Sequence, residues 1–241
     1  MMKRNAWDNS ARYYDLIYSW KDYKREAGKI QKLIQCYKKS PGKDLLEVAC
    51  GTGGHARYLK NAFRILGTDI NDRMLAVARK NVKGVAFQKV DMLTLNLGRQ
   101  FDVILCLFSS IGYMNTRAKL RKTLRNFSGH LKQGGVVIIE PWLTKAAYKA
   151  GRVGHLLTYD GKETKIARLN VSRIRGNVSI LEMHHLVAEK DKSVKYFVER
   201  HEVGMFEPDE FLALMRATGL RARFLKSGLM KDRGLYVGVK R

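Results

Sequence analysis

Apolar side chains between residues 15 and 37 recur at helical spacing: Leu16, Ile17, Trp20, Tyr23, Ala27, Ile30, Leu33 and Ile34. That period predicts helix, broken near Lys21 and stopped by Ser40-Pro41-Gly42. Short apolar runs at 45–50, 63–67, 85–90, 101–108 and 136–139 then alternate with helical stretches near 54–61, 72–81 and 116–131. The runs are continuously apolar, as expected of strands buried on both faces in a parallel sheet covered by helices. Gln133-Gly134-Gly135 is expected to end the last of those helices. After Pro141 the texture changes: alternating, β-branched segments at 164–174, 178–189 and 194–206 are separated by Arg175-Gly176-Asn177 and Lys190-Asp191-Lys192-Ser193, both turn chemistry. They predict an antiparallel sheet between Val153 and Phe206. Pro208 opens a last helix, 209–218, closed by Gly219, and strands at 221–225 and 235–239 return to the main sheet. The expected fold class is α/β, a mostly parallel seven-stranded sheet with helices on both faces and an inserted antiparallel β-sheet. The expected divisions are an N-terminal helical segment and α/β core at 1–142, the inserted sheet, expected to serve as a lid over the ligand crevice, at 143–205, and the last helix and strands at 206–241.

With 241 residues, 45% of them hydrophobic, the chain can bury one sizeable core. The longest apolar run, 101–108, is interrupted by Asp102 and falls far short of the ~20 residues of a membrane span. No apolar stretch follows the basic residues of Met1-Met2-Lys3-Arg4-Asn5-Ala6-Trp7, so no secretory signal is expected. Cys36, Cys50 and Cys106 lack metal-ligand spacing, and their odd number argues against a disulfide framework; a cytoplasmic location fits them. Forty-six Lys plus Arg against 22 Asp plus Glu give a net charge of +24. Such a field favours anionic ligands, nucleic acid among them. The basic residues are nevertheless spread along the whole chain, with no run of five and no basic tail, as on a solvated basic surface.

The first strand, Leu45-Leu46-Glu47-Val48-Ala49, runs into Cys50-Gly51-Thr52-Gly53-Gly54-His55-Ala56. Read as Gly51-x-Gly53-x-x-Ala56, the loop satisfies the dinucleotide fingerprint, and a plain strand–turn–helix junction would look the same. Three features separate the alternatives. Acidic Glu47 stands where a dinucleotide strand carries an apolar residue. Asp69, followed by Ile70, ends the next strand, where a carboxylate can accept both ribose hydroxyls of an adenosine. Asp91-Met92 ends the third, where a carboxylate and an apolar side chain can grip an adenine, although Asp91 alone also reads as a helix cap.

These motifs, in order, resemble those of the class I S-adenosylmethionine-dependent methyltransferases, whose sheet is Rossmann-like. Further matches are Tyr14-Asp15-Leu16, Lys21-Asp22-Tyr23, Phe108-Ser109-Ser110-Ile111-Gly112, Glu140-Pro141-Trp142 and Arg233-Gly234-Leu235-Tyr236-Val237-Gly238. With Ala167-Arg168, Ser172-Arg173, Arg175-Gly176-Asn177 and Val187-Ala188 they resemble the nucleotide-activated aminosugar N,N-dimethyltransferases of macrolide sugar pathways. The resemblance implies S-adenosyl-L-methionine as cofactor, held by Tyr14, Tyr23, Ala49, Gly51, Gly53, Asp69, Ile70, Asp91, Met92 and Leu107. It implies an anionic small-molecule acceptor, a nucleotide sugar, and it leaves a homodimer open. Asp69 replaces the family's usual glutamate, and Leu143 stands in place of a second tryptophan.

On the acceptor side, Tyr113 follows the fourth strand, where the family places tyrosine or histidine. A neutral phenol with a pKa near ~10 is a poor general base, so Tyr113 is expected to orient the acceptor nitrogen. His184, His185 and His201 lie in the inserted strands, where alternation puts His184 and His185 on opposite faces; one of the three is expected to face the acceptor, and His184 is the second catalytic candidate. His55 is expected to cap the first helix turn, and His130 to be structural. Alternation also aligns Arg168, Asn170 and Ser172 on one face. Arg168, Ser172 and Arg233 are expected to bind substrate, the arginines at its diphosphate, with Trp142 packing on its sugar or base. No acidic or cysteine partner lies at metal-ligand spacing from the histidines, so no metal is expected. The alternatives are another small amine or a natural product as acceptor, or RNA. Against RNA, no separate binding module and no Asn-Pro-Pro-Tyr-like tetrad for a flipped base is present.

Overall fold

The protein is described here from a computed structural model covering residues 7–151, 154 and 156–241. Val153, the expected start of the inserted sheet, and residues 1–6, on which the expectation about a signal rests, lie outside the described residues. The chain runs α1 (Tyr14–Ile17), α2 (Tyr23–Tyr37), β1 (Asp44–Val48), α3 (Ala56–Leu59), β2 (Arg64–Asp69), α4 (Asp72–Asn81), β3 (Ala86–Lys89), β4 (Phe101–Cys106), α5 (Arg117–Gly129) and β5 (Leu131–Ile139). It continues through β6 (Leu156–Asp160), β7 (Thr164–Arg175), β8 (Val178–Glu189), β9 (Lys195–Gly204), α6 (Pro208–Arg216), β10 (Leu220–Leu225) and β11 (Leu235–Lys240).

Seven strands form one sheet in the order β10-β11-β5-β4-β1-β2-β3, parallel from β5 to β3, with β11 antiparallel to both of its neighbours. Every residue of the central strand β4 is buried, which explains why its sequence reads as one apolar run. Leu46, Ile104 and Val137 pack into one covering layer with Phe127 and Phe211, while Leu45, Val103 and Val136 pack into the other with Ile30 and Ile34. Asp102 is the exception in the run. It is buried, and its carboxylate accepts the N–H groups of Gly42 and Asp44 and pairs with Lys132 at 2.9 Å. Helix starts follow capping chemistry: Asp22, Asn71 and Thr116 accept backbone N–H groups at the heads of α2, α4 and α5.

Two local expectations change. α5 stops at Gly129 instead of at Gln133-Gly134-Gly135, because Leu131 already pairs with Phe101 and the glycine pair lies within β5 beside a register shift. The helix expected at 54–61 is a single turn, α3, flanked by turns.

Between β5 and α6 the chain builds a separate antiparallel sheet in the order β6-β7-β8-β9. β6 is too short for its alternation to be evident in the sequence. One face of this sheet packs on the N-terminal segment through Ile166 and Val187 against Tyr13, Ile17 and Tyr18. Glu199 fastens the same segment by accepting the N–H groups of Asn9 and Ser10 at 3.1 Å and the Ser10 hydroxyl at 2.7 Å. The other face exposes Leu169, Val171, Leu186 and Val198. Among the described residues no helix is long and apolar enough to cross a membrane.

Candidate active site

The carboxyl ends of β1, β2 and β4, the inner face of the inserted sheet and the N-terminal segment enclose a cavity of about 1120 Å³. This lies above the ~300–1,000 Å³ usual for a single small ligand, so donor and acceptor molecules fit side by side. Six described non-glycine residues have positive φ: Trp7, Ala49, Phe108, Ser109, Asp191 and Asp232. All but Asp191 line the cavity, so backbone strain concentrates there.

The donor half is built on β1 and β2. Beyond β1 the chain turns through Ala49 at φ 53° and Gly51 at φ 55°. The Asp69 carboxylate accepts the Gly51 N–H through Oδ2 and the Asn71 N–H through Oδ1, each at 2.9 Å. These bonds occupy part of its capacity of about four and leave room for ribose hydroxyls. Burial pushes the Asp69 pKa up against the opposing pull of the N–H groups of Asn71, Gly51 and Ile70. Asp91 accepts the Leu93 N–H at 2.8 Å, so it is a cap and a cavity residue at once. Tyr14, Tyr23, Ile70, Met92 and Leu107 also line the cavity.

Gly53 does not line it. A Cβ there would meet Val82 Cγ2 at 3.1 Å and Phe87 Cζ at 3.3 Å, so this glycine serves packing against α4 and β3. Gly54 takes its place at the cavity wall, where a Cβ would fall 2.6 Å from the Tyr23 ring. His55 stands at the N-cap position of α3, but its side chain makes no capping hydrogen bond. It lies buried between Glu26, at 2.7 Å from Nε2, and Glu47, at 3.6 Å from Nδ1. Burial opposes its charge, yet Glu26 and Glu47 together carry its pKa above the ordinary value. Glu47 lines the cavity, and its buried Oε2 has no partner. An open carboxylate oxygen in the same cavity as the Asp69 carboxylate suits S-adenosylmethionine, which bears a sulfonium and an ammonium.

The other side of the cavity is lined by Tyr113, Trp142, Arg168, Asn170, Ser172 and Arg233. Arg168 is buried; its Nη1 donates to the Tyr18 hydroxyl at 2.7 Å, and its Nε has no partner. Arg233 lies over the rings of Trp142, at 4.8 Å, and Phe108, at 5.6 Å, and donates to Ser109 Oγ at 2.9 Å. Burial lowers its pKa and Glu140 opposes that shift. Trp142 Nε1 donates to Ser179 Oγ at 2.9 Å.

Inner-face pairing sets the remaining geometry. Ser172 lies opposite Leu181, which lies opposite His201. His201 Nδ1 is 2.8 Å from the Tyr113 hydroxyl, which also accepts the Trp7 indole N–H at 2.8 Å. His184 does not belong here. On β8 the inner-face residues are Leu181, Met183 and His185, so His184 points outward and meets the Tyr196 hydroxyl at 2.6 Å. Trp7, Tyr18 and Gly54 are among the cavity residues that sequence reading did not assign, and of the three inserted-strand histidines His201 is the one that lines the cavity. Strand register could have found His201; nothing in the sequence marks Trp7. Among the described residues no group of three or more His, Cys, Asp or Glu could hold a metal ion.

A seven-stranded sheet with one reversed strand, carboxylates at three successive strand ends and a glycine loop between the first two define a class I S-adenosylmethionine-dependent methyltransferase. Comparison with known proteins agrees and goes further. Residues 45–135 match the family described as "Methyltransferase domain". The chain is 36% identical over 230 residues to the dTDP-3-amino-3,4,6-trideoxy-alpha-D-glucopyranose N,N-dimethyltransferase of Streptomyces venezuelae, covering 94% of this chain and 95% of that one. The crystal structure of Streptomyces venezuelae DesVI superposes with a TM-score of 0.89 at 35% identity, covering 96% of this chain and 98% of that one. CalS10 from Micromonospora echinaspora, an amino pentose methyltransferase solved with S-adenosylmethionine bound, gives 0.83 at 28% identity with both chains fully covered at 100%. The chain belongs to the family of aminosugar N,N-dimethyltransferases, and it is an S-adenosylmethionine-dependent enzyme.

Proposed function

We propose that the protein methylates the amino group of a nucleotide-linked aminosugar. The observation that carries this reading is the pair of guanidiniums, Arg168 buried and Arg233 half-buried, on one side of a cavity whose other side suits the cofactor. Guanidinium suits a diphosphate through paired N–H donors, and the unpartnered Arg168 Nε is a donor ready for an anion. The dTDP-linked aminosugar named for the Streptomyces venezuelae relative combines that anion with an amine.

When bound, S-adenosylmethionine supplies a sulfonium methyl group as electrophile. Asp69 and Asp91 hold its adenosine, Glu47 faces its cationic portion, and Gly51 and Gly54 let the backbone and Tyr23 close on it. Arg168 and Arg233 bind the acceptor's diphosphate, Ser172 and Trp142 its nucleoside or sugar. Holding both partners in line supplies most of the rate. Burial raises the Tyr113 pKa well above the phenol range, and burial with His185 and Arg168 lowers His201 to about 3. Neither group is suited to take the amine's proton at neutral pH, which supports entry of the acceptor as the free amine. The three cysteines are all free, which supports action in the reducing cytoplasm.

The test is methyl transfer to dTDP-aminosugars followed by mass spectrometry, with amino acids and RNA as alternative acceptors. Gain of methyl groups on the sugar nucleotide is expected. Transfer to amino acids or RNA with none to any aminosugar nucleotide refutes the reading.

A further inference from the structure

We propose that His55 is a positioning residue for the cofactor: held as an imidazolium between Glu26 and Glu47, it keeps the Glu47 carboxylate charged and in place for the ammonium of S-adenosylmethionine. The inference rests on the reading that Glu47 faces the cofactor's cationic portion. Four buried side chains from four segments meet beside the glycine loop: Lys21 ahead of α2, Glu26 on α2, His55 at the head of α3 and Glu47 on β1. They alternate in sign. Lys21 Nζ donates to Glu26 Oε1 at 2.5 Å, Glu26 Oε2 lies 2.7 Å from His55 Nε2, and His55 Nδ1 lies 3.6 Å from Glu47 Oε1. That last distance belongs to an ion pair and not to a hydrogen bond. Among the described residues, His55 is the one ion-pair partner of Glu47. The Tyr23 ring stands nearly perpendicular to the imidazole, with centroids 4.9 Å apart, and closes a third side.

Protonation follows from what the two nitrogens face. A neutral imidazole has one N–H and one lone pair, so it would turn that lone pair on one of two carboxylates; an imidazolium offers each an N–H. Burial opposes ionisation of Glu26, yet His55 and Lys21 hold its carboxyl below the ordinary pKa. The proton of the cluster therefore belongs to His55 or to Glu47. An apolar packing of equal volume could join α2 and α3 to β1 without the cost of burying four charges. It could not present a carboxylate to the cavity. The chain has two positive and two negative members and ends on Glu47, whose buried Oε2 has no partner, so an arriving cation continues the alternation. Without the charge on His55, Glu47 would be a lone buried carboxylate, a state that proton uptake relieves. A protonated Glu47 would attract an ammonium far less.

The first test needs only the wild-type enzyme: 15N–1H correlation spectra of its histidines at pH 7, without ligand. Both nitrogens of His55 are expected to carry protons, and a single protonated nitrogen overturns the proposal. The second test compares S-adenosylhomocysteine with methylthioadenosine, which share the adenosine and differ in the amino-acid end. No acceptor is present, so the result is independent of which amine the enzyme methylates. His55→Gln keeps a donor for Glu26 and cannot carry the charge. It should weaken binding of S-adenosylhomocysteine about tenfold and leave methylthioadenosine within about twofold. In a Glu47→Gln enzyme, adding His55→Gln should cause no further selective loss; a further loss means that His55 acts by another route and refutes the proposal. Equal weakening of both ligands makes His55 a support for the loop, and unchanged binding of both makes its charge irrelevant; either result overturns the proposal. If Glu47→Gln alone leaves the preference between the two ligands intact, Glu47 does not face the ammonium, and that reading fails first and takes this inference with it.

Discussion

Replacing Asp69 with alanine separates ligand binding from loop support, because the carboxylate serves both. Its two oxygens accept backbone N–H groups from Gly51 and Asn71 at 2.9 Å while it lines the cavity. Loss of a charge-assisted bond to ribose should weaken cofactor binding by about 1.5–3 kcal/mol, or roughly ten- to hundredfold in Kd. The two freed N–H groups add a cost of about 1–3 kcal/mol to folding if water does not replace the carboxylate fully. For a chain of this length, Tm should fall by about 2–4 °C for each kcal/mol. Asp69→Asn keeps one acceptor oxygen, so it should recover part of the Tm while retaining most of the binding defect. Isothermal titration with S-adenosylhomocysteine and with NAD, paired with scanning calorimetry, reads both quantities. Heat is expected with the former ligand and none with NAD. If Tm falls while Kd stays unchanged, Asp69 supports the loop and does not hold ribose.

Arg168→Lys and Arg233→Lys should each raise KM for the aminosugar nucleotide about tenfold with cofactor Kd unchanged, since lysine cannot copy the paired donors; normal kinetics in both variants would place the diphosphate elsewhere. Activity should fall only modestly between low and physiological salt, while RNA binding, if driven by the +24 charge, should vanish over the same range. Filter binding that stays tight and sequence-selective at physiological salt would favour an RNA substrate. For His201, the folded pKa of about 3 lies below the unfolded value near ~6.5, so between those limits the unfolded chain binds the extra proton. Stability is therefore lost as pH falls below ~6.5, by up to about 1.4 kcal/mol per pH unit, and His201→Asn removes that loss. Tm curves for the two proteins that run parallel from pH 7 to 4 contradict a neutral buried imidazole.

The donor half was legible in the sequence because its residues lie at strand ends, and strand ends announce themselves by a change from apolar run to glycine or carboxylate. Asp69 and Asp91 are of this kind. Gly53 and Gly54 show the limit of that signal: two adjacent glycines look alike in sequence, and only packing against Val82, Phe87 or Tyr23 assigns them. The acceptor half depends on pairing between strands far apart in the chain. Alternation alone correctly aligned Arg168, Asn170 and Ser172, because one strand suffices for that. Choosing between His184 and His201 required the register of β8 against β9, which no local pattern carries. Trp7 reaches Tyr113 across 106 residues from an irregular segment, so no periodicity points to it.

The two halves of the cavity also have separate histories open to them. The residues proposed to hold the cofactor come from the seven-stranded sheet and the segment before it, whereas Arg168, Ser172 and His201 come from a sheet inserted after β5. Acceptor preference can drift, or be exchanged between relatives, without disturbing the donor. The seam restricts that freedom at one point. A Cβ on Gly112 would come within 2.4 Å of Val203 Cγ1 on β9, so the inserted sheet approaches the loop bearing Tyr113 this closely only over a glycine. A lineage that loses Gly112 must shift its inserted sheet and with it Arg168, Ser172 and His201, and a transplanted sheet should be matched to that position before any residue inside the cavity.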